Sequence, residues 1–574
     1  MQSGIHLQGN AMALSNNNPY QSAINDSGTP DSGNSPPVLG SQTSPLTLSK
    51  YTKALIRNYQ NPLKLRVPSV IRISVSQTVS FAAFLYEKMR NAVEFREDHL
   101  IRRAAIQRIL KRRLILNENG RDLAEPLIKE LLWARYYENN TIGEEKIGEI
   151  QSIIDKYFFI RNELIAGRIS SEQEKISDFI IEVLSCEIQE NLSPNYRQEA
   201  FTNYVYQILR PYILPFNTEE ERDIQVYIAV ERTFAHNDNA LIRYHLLKLI
   251  VPEITEITWQ TADPVLPKLY DAVNRIERDL THPLKDKIRN IVKKQIPPFL
   301  ILRDIFENNR HQLAGIMNDE SKLKYKVDEA CRKRYDESRS RLSRTAIRSF
   351  IYILLTKVIF AFILEIPYDL YILGEIAYLP IAINVIFPPI LMTLIILSVT
   401  VPGDDNTRKI YQLIKGIIDN DPDTPAVIGS GIAVGKKSRT RGFVFTGLFT
   451  LTYLLTYIMS FGSIIYGLTL LKFNPVSQSI FIFFVTLVTF FAYRVIQITQ
   501  EYQVVSQENF FSTLTDFFFL PIIRVGQWLS GEVLQRFNVF IFIFDFIIEM
   551  PFKAIVEVFD EWIRFVRLKK EEIV

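Results

Sequence analysis

Residues 350–366 read FIYILLTKVIFAFILEI, and this stretch decides the fold of the C-terminal part of the chain. A helix needs about 17–25 mostly apolar residues to cross roughly 30 Å of hydrocarbon. Three further apolar runs follow, at Ile376–Val401, Phe443–Leu471 and Ile480–Ile498. Runs of Ile, Leu, Phe and Val of this length are not stable in water. The sequence therefore predicts four membrane-spanning helices, over residues 349–366, 376–401, 443–471 and 480–498.

The overall composition indicates that a large soluble part accompanies these spans. Hydrophobic residues make up 47% of the 574 residues, yet the mean hydropathy is only +0.04, so charged segments must balance the apolar runs. The net charge of +3 does not indicate a dedicated nucleic-acid binder. Two cysteines, Cys186 and Cys331, are too few for a disulfide framework or the usual four-ligand zinc site. The N-terminus lacks the pattern of a cleaved signal peptide, and no cofactor is predicted.

Residues 46–344 are predicted to form an all-α soluble domain. Apolar residues recur at helical spacing, as at Ile153, Tyr157 and Ile160, with charged residues between them. A helix start is predicted at Ser170, where serine and acidic residues suit a first turn. Residues 1–45 are rich in Ser, Asn, Gly and Pro and are predicted to be disordered. The predicted fold class is all-α: a soluble helical domain, a four-helix membrane unit and a helical tail.

The charges of the connecting segments predict the orientation of the spans. Segment 322–348, before the first span, and loop 402–441, between the second and third, are rich in Lys and Arg. The other two connections carry acidic residues or a single lysine. Because positively charged loops stay in the cytoplasm, both termini and the soluble domain are predicted to be cytoplasmic, with the cell membrane as the expected location.

Residues 501–574 are unusually aromatic. The runs Phe510–Ile523 and Phe537–Ile548 are short for a membrane span and contain Asp or Pro, so they are predicted to be interfacial or re-entrant. The last segment, from Phe552 to Val566, has an apolar face at helical spacing and is predicted to be an amphipathic helix.

Lys357 is the most informative single residue, because it lies near the middle of the first span. A charge there costs about 2.5–3.5 kcal/mol on insertion scales and usually needs a partner or a water-filled path. Glu365 is two turns further along the same helix, too far for direct contact without bending, whereas Asn384, Glu375 and Asp545 are candidate partners from other segments. The alternatives to a transport path are a structural interhelical pair and a lysine that reaches the interface.

Three further features of the membrane region are candidates for function. Arg494 lies in the last third of the fourth span, where reaching the interface also explains it. The prolines at 380, 388 and 389 are predicted to break the second span, as in some transporters, although plain kinks also arise this way. Glu365, Asp369 and Glu375 could form an acidic outer mouth or an ordinary acidic loop.

The basic segment before the first span is a candidate contact for anionic lipid head groups. Its candidate residues are Arg332, Lys333, Arg334, Arg339, Arg341 and Arg344. Nucleic acid is not an expected partner, because no aromatic platform or known reader motif accompanies the basic residues.

No catalytic constellation is visible in the sequence, and no enzyme activity is predicted. The stretch 429–438, GSGIAVGKKS, departs from the phosphate-binding loop pattern at two positions, so nucleotide binding is not expected. The histidines are scattered; His236 and His245 alone are too few for a metal site.

The order of a soluble helical domain, a basic segment and about four C-terminal spans is similar to that of several unrelated membrane proteins, including the proton-extrusion proteins of cyanobacteria and plastids. No motif of that family is matched here, so nothing is carried over from it. The leading hypothesis from the sequence is a membrane-anchored helical adaptor or scaffold that binds a protein partner through its soluble domain. The second hypothesis is a channel or transporter for ions, protons or small solutes that uses Lys357 and the second span.

Overall fold

The protein is all-α, as predicted. The computed structural model describes residues 46–60, 71–91, 97–116, 120–214, 218–397, 399, 402–419, 432–433, 443–504, 518–530 and positions 558, 562, 565 and 566. The helices of the soluble part are α1 Lys50–Gln60, α2 Gln77–Asn91, α3 Asp98–Leu116, α4 Ala124–Trp133, α5 Glu145–Ile165, α6 Ser170–Leu192, α7 Tyr196–Leu209, α8 Glu219–Thr233, α9 Asn239–Ile250, α10 Leu266–Leu280, α11 Lys285–Gln295, α12 Pro297–Asn308 and α13 Leu313–Met317. They are followed by α14 Glu320–Phe360, α15 Tyr378–Leu397, α16 Asp404–Asp419, α17 Phe443–Leu470 and α18 Pro475–Thr499.

Local sequence signals explain several helix boundaries. Helix α6 begins at Ser170 as predicted, but its N-cap residue is Ile169, which makes no side-chain capping hydrogen bond. Side-chain caps do form at Thr218, Asp238 and Asp319, whose oxygens accept backbone N–H groups of the first turns of α8, α9 and α14. Helix α12 begins at Pro297, because proline tolerates the first turn of a helix.

Two hydrophobic cores stabilise the soluble part. The first is built between Ile73 and Leu280, mainly from α3, α5, α6, α9 and α10. The second joins α7, α8, α11 and α12 to the beginning of α14. Its centre is aromatic: Phe201 stacks on Phe234 at 5.4 Å and meets Phe306 edge-on at 5.6 Å. Such pairs add about 0.5–1.5 kcal/mol to the area that they bury.

Helix α14 connects the soluble part to the membrane without a break. Its first turns bury Leu323, Val327 and Cys331 in the second core, and the same 41-residue helix continues to Phe360. The basic segment 322–348, interpreted from the sequence as a linker, is therefore helical throughout. A continuous helix transmits rotation and translation between the two parts, which a flexible linker does not.

The loop between the second and third spans is not a simple linker either. Its residues 404–419 form α16, whose Ile410, Ile414 and Ile418 are fully buried in the second core. The backbone N–H of Ser49 donates to the carbonyl of Ile418 at 2.9 Å. The same loop also contains Ile432 and Ala433, which pair in parallel with the short strand Ile213–Leu214 of the soluble domain. The membrane unit is thus attached to the soluble domain through α14 and through this loop.

Four helices are long and apolar enough to cross a membrane, as predicted. They cover Glu320–Leu373, Tyr378–Leu397, Gly447–Leu470 and Pro475–Ile496, the first including the soluble part of α14. Many large apolar side chains on them are exposed, as expected for surfaces that face lipid. Helix α15 packs between α14 and α18.

A further helix, over residues 518–530, packs against the spans. The hydroxyl of Ser460 donates to the carbonyl of Phe518 at 2.8 Å, and Ile522 is buried against α17 and α18. Gly526 is so close to α18 that a Cβ atom there would overlap the carbonyl oxygen of Thr486. The second half of the predicted interfacial segment 510–523 is therefore part of a packed helix. Three predictions fall outside the described residues, apart from four isolated positions: the disordered tail over 1–45, the interfacial run 537–548 and the C-terminal amphipathic helix.

Candidate functional site

A row of buried residues runs along one face of the first span. Lys357, Ala361, Glu365 and Asp369 are four residues apart, and each exposes 4% or less of its surface. In a regular α-helix each four-residue step turns about 40° beyond a full circle, so the row would drift around the axis. The π-helical turns Ala361–Glu365 and Asp369–Leu373 take more residues per turn and offset this drift. All three charged groups therefore face the interior of the helix bundle.

Asn384 connects Lys357 to Glu365. The Lys357 Nζ donates to Asn384 Oδ1 at 3.4 Å, and Asn384 Nδ2 donates to Glu365 Oε2 at 3.0 Å and to the carbonyl of Ser477 at 3.2 Å. Of the partners predicted for Lys357, the structure brings Asn384 into contact with it. Lys357 is linked to Glu365 through the Asn384 amide, in line with the expectation that the two charged groups are too far apart along the helix for direct contact. Three partners fix the orientation of this fully buried amide.

The aromatic ring of Phe484 completes the surroundings of the lysine. The Lys357 Nζ lies 3.9 Å from the ring centroid of Phe484, on α18, a short cation–π contact. Away from water such a contact contributes about 2 kcal/mol. Lys357, Glu365, Asn384, Ser477 and Phe484 are hereafter the Lys357 cluster. It joins three of the four spans around one positive and one negative group.

One atom of the Lys357 cluster is incompletely satisfied. Among the described residues, Glu365 Oε1 is buried and has no hydrogen-bond partner. A buried acceptor left without a partner costs about 1–3 kcal/mol, and more when it is charged. Such an oxygen is disposed to accept a proton or to bind a cation.

A second polar link lies one turn beyond Glu365. Asn474 donates to Asp369 Oδ1 at 2.9 Å, and the backbone N–H of Ala377 donates to Asp369 Oδ2 at 3.2 Å. Asn474 also accepts the N–H of Ser477, so it caps α18 at the same time. Asp369 is fully buried, which corrects its assignment to the acidic outer loop, because both of its oxygens accept hydrogen bonds in the interior.

The second span is a single helix, contrary to the prediction that prolines break it. Pro388 and Pro389 are buried inside α15, and Pro380 lies in its first turn. Pro388 has no N–H to donate to the carbonyl four residues earlier, which is that of Asn384. The proline therefore frees a backbone oxygen at the residue that links the two charges, without interrupting the helix.

The remaining membrane candidates lie apart from the Lys357 cluster. Glu375 and Arg494 are exposed, and Asp545 lies outside the described residues. The exposure of Arg494 near the end of α18 fits a side chain that reaches the interface. Neither Glu375 nor Arg494 contributes to the buried charge arrangement.

The basic candidates on α14 divide into two groups. Arg334 is committed to the soluble domain, because its Nη2 donates to Asp304 Oδ1 at 2.6 Å and its guanidinium lies over the ring of Tyr502. Arg334 is therefore less suited to lipid contact than predicted. The other residues of the predicted set, Arg332, Lys333, Arg339, Arg341 and Arg344, are exposed.

Sequence reasoning missed Asn474, Ser477 and Phe484. Asn474 precedes Pro475 at the start of an apolar run, a typical signal for a helix cap followed by proline in the first turn. That signal predicts the helix start but not the contact with Asp369. No sequence signal distinguishes Phe484 from the other phenylalanines of its span, since its role depends on the rotation of α18.

The histidines do not form a metal site within the described residues, where no group of three potential ligands is found. His236 and His245 have different partners: His236 Nε2 lies 3.4 Å from Glu501, and His245 Nδ1 lies 3.1 Å from Glu231. Burial lowers the pKa of His245, but the attraction and hydrogen bond of Glu231 outweigh burial and raise this pKa above 6.5. This pair belongs to the core of the soluble domain.

Comparison with protein-family models, with curated proteins and with solved structures finds no match to this chain. The functional argument therefore depends on the geometry of the chain itself.

Proposed function

We propose that this integral membrane protein transports protons or small cations, with the Lys357 cluster as the exchange site on the path. The observation that supports the proposal is the burial of a lysine and a glutamate where three of the apolar helices meet. The two groups are bridged through Asn384, and one carboxylate oxygen has no hydrogen-bond partner among the described residues. Ionisable groups inside a membrane are costly and usually mark a functional site, ion and proton paths among them. π-Helical turns are also frequent at functional sites, and of the two in this span one ends at Glu365 and the other begins at Asp369.

The cluster offers a simple exchange of positive charge. With Lys357 protonated and Glu365 ionised, the two groups compensate each other across the Asn384 amide. A proton or small cation that binds Glu365 neutralises the carboxylate in place of the Lys357 ammonium. Lys357 can then lose its own proton, because one positive charge is sufficient for the site. Asn384 holds both groups in place and is a positioning residue.

The orientation of the transporter follows from its charges. The basic end of α14 and the loop that contains α16 lie on the same side as the soluble domain. By the bias of basic loops toward the cytoplasm, we assign the soluble domain and both termini to the cytoplasm, and the spans to the cell membrane. Anionic lipids on that side are the expected neighbours of the exposed arginines of α14.

The proposal is tested with purified full-length protein in liposomes that contain a pH-sensitive dye. An imposed pH gradient should dissipate faster than in empty liposomes, and Lys357→Ala should reduce the rate at least tenfold, because removal of the ammonium leaves Glu365 unbalanced. Arg494→Gln is the matched control: it removes a span cation that is exposed, and it should leave the rate unchanged.

Lys357→Arg guards against a simple loss of folding. The guanidinium keeps the positive charge but does not release its proton, so flux should fall while the protein remains folded by circular dichroism. Parallel sodium and potassium gradients identify the transported cation. The proposal fails if the wild-type protein dissipates none of the three gradients, or if the Lys357 variants retain normal flux.

An adaptor function is the second candidate. Its supporting observation is the size of the soluble domain, which has two hydrophobic cores of its own and holds most of the described residues. Such a protein should capture a partner in stoichiometric amount when the full-length chain is purified from membranes. Absence of any stoichiometric partner, with flux present, decides against the adaptor and for transport.

A further inference from the structure

An open groove lies between α14 and α15, at the end of these spans nearest the soluble domain. It has a volume of about 730 Å³. Its apolar walls are formed by Leu342, Ala346, Ile347 and Phe350 of α14 and by Ile396 and Leu397 of α15. Ile347 and Leu397 are 60% and 74% exposed, so the groove opens to the surroundings of the helices.

The inner wall of the groove is fixed by packing. Leu342 and Ala346 are buried together with Ile396 and with Val488 of α18. The inner wall of the groove is therefore part of the packed junction of α14, α15 and α18. Its outer wall consists of side chains that lipid would touch in a membrane.

One cation, Arg339, lies at the end of the groove where α14 leaves the membrane region. Among the described residues it has no ion-pair partner, in contrast to Arg334, which is held by Asp304. From Arg339 to Phe350, where the predicted first span begins, the helix rises about 16 Å. The groove thus extends from the beginning of the span into the basic segment, with a positive charge at its polar end.

We propose that this groove binds an anionic phospholipid, with an acyl chain against the apolar walls and the phosphate beside Arg339. A guanidinium forms strong, charge-assisted hydrogen bonds with phosphate oxygens. The apolar walls match an acyl chain and have no affinity for a free phosphate ion. The lipid would brace α14, the helix that carries both the groove and Lys357. The site does not depend on the transport proposal.

The experiment is native mass spectrometry of the full-length protein, released from nanodiscs that contain equal amounts of phosphatidylglycerol and phosphatidylcholine with the same acyl chains. One phosphatidylglycerol should be retained in preference to phosphatidylcholine. Arg339→Gln should reduce this preference about fivefold, the effect of one basic residue at a lipid surface. Arg341→Gln is its matched control, since Arg341 is exposed two residues away but does not line the groove, and it should change the preference little.

A second pair of variants tests the apolar walls. Ile347→Trp places a larger side chain in the groove and should lower retention of either lipid, whereas Ile351→Trp, at an equally exposed position outside the groove, should not. Added inorganic phosphate should not displace the lipid. Equal retention of the two lipids, equal effects of the Arg339 and Arg341 variants, or equal effects of the two tryptophans would overturn the proposal.

Discussion

Two lysine–glutamate arrangements of the described residues, one in the soluble domain and one between the spans, are almost fully buried, and the difference between them separates structural from functional burial. In the soluble domain, Lys156 Nζ donates to Glu187 Oε1 at 2.6 Å and to the carbonyl of Ile254 at 2.8 Å. The hydroxyl of Tyr157 donates to the other oxygen, Glu187 Oε2, at 2.7 Å. Both carboxylate oxygens of this pair are satisfied.

The membrane arrangement is looser. Lys357 contacts Asn384 at 3.4 Å, the amide mediates the link to Glu365, and Glu365 Oε1 has no partner among the described residues. A fully satisfied buried network rigidifies a core, whereas a partly satisfied one is sensitive to any added proton or ion. We therefore expect the first pair to govern stability and the second to govern flux.

The largest expected effect concerns Glu365. Glu365→Gln should lower proton or cation flux at least tenfold, because an amide neither exchanges a proton nor balances a cation, while its similar shape preserves the contact with Asn384. Flux into liposomes is the measurement. Glu375→Gln, at an exposed carboxylate beyond the same helix, should keep normal flux. Normal flux in Glu365→Gln would show that the buried Glu365 carboxylate has no role in transport.

The next effect concerns Lys156. Lys156→Met should lower the free energy of unfolding by about 3–5 kcal/mol, because it leaves Glu187 buried without its cation. Urea unfolding of the full-length protein measures this change. The ion pair Lys111–Asp178 has the same 2.6 Å distance but is about half exposed, so Lys111→Met should cost less than about 1 kcal/mol. The double variant Lys156→Met, Glu187→Leu should recover much of the loss; equal costs for the two lysines would contradict the assignment.

A smaller effect is expected at the close approach of helix 518–530 to α18. Gly526→Ala places a methyl group against the backbone of Thr486 and should destabilise the membrane unit by about 1–3 kcal/mol. Gly462→Ala, on α17, has open space around the added atom and serves as the control. Thermal unfolding in detergent compares the two. An unchanged midpoint for Gly526→Ala would show that this helix packs less closely than the structure indicates.

The smallest effect is a pH dependence in the soluble domain. The pKa of His245 in the folded protein is raised above 6.5. Its contribution to the free energy of unfolding is therefore complete below pH 6.5 and is lost as the pH rises through this raised pKa. Burial raises the pKa of Glu231, but the charge of His245 and several hydrogen bonds outweigh burial and lower this pKa below 4.5. The contribution of Glu231 to the free energy of unfolding is therefore complete above pH 4.5. The free energy of unfolding should be highest between pH 4.5 and pH 6.5, as measured by urea unfolding at a series of pH values. His245→Gln should remove the decline above pH 6.5; an unaltered profile would assign that decline to another group.

The sequence predicted the membrane unit well because hydrophobicity is a local property. The free energy of transferring an apolar run from water into the membrane depends on its own residues and not on what packs against it. The four spans could therefore be predicted from composition and length. Lys357 was identified for the same reason, as a charge within such a run. Asp369 was assigned to the acidic outer loop because its position lies past the predicted end of the span, and the π-helical turn that begins at Asp369 has no recognised sequence signal.

The sequence by itself therefore determined the all-α fold, the four spans and the position of the buried lysine. Only the tertiary structure decided that Asn384 bridges Lys357 to Glu365, that Asn474 and Phe484 complete the polar interior, and that α16 returns to the soluble core. The reason is that these contacts depend on the relative rotation of helices that are distant in sequence. Helix rotation is set by the packing of all the side chains together, whereas membrane insertion is set by each segment nearly alone.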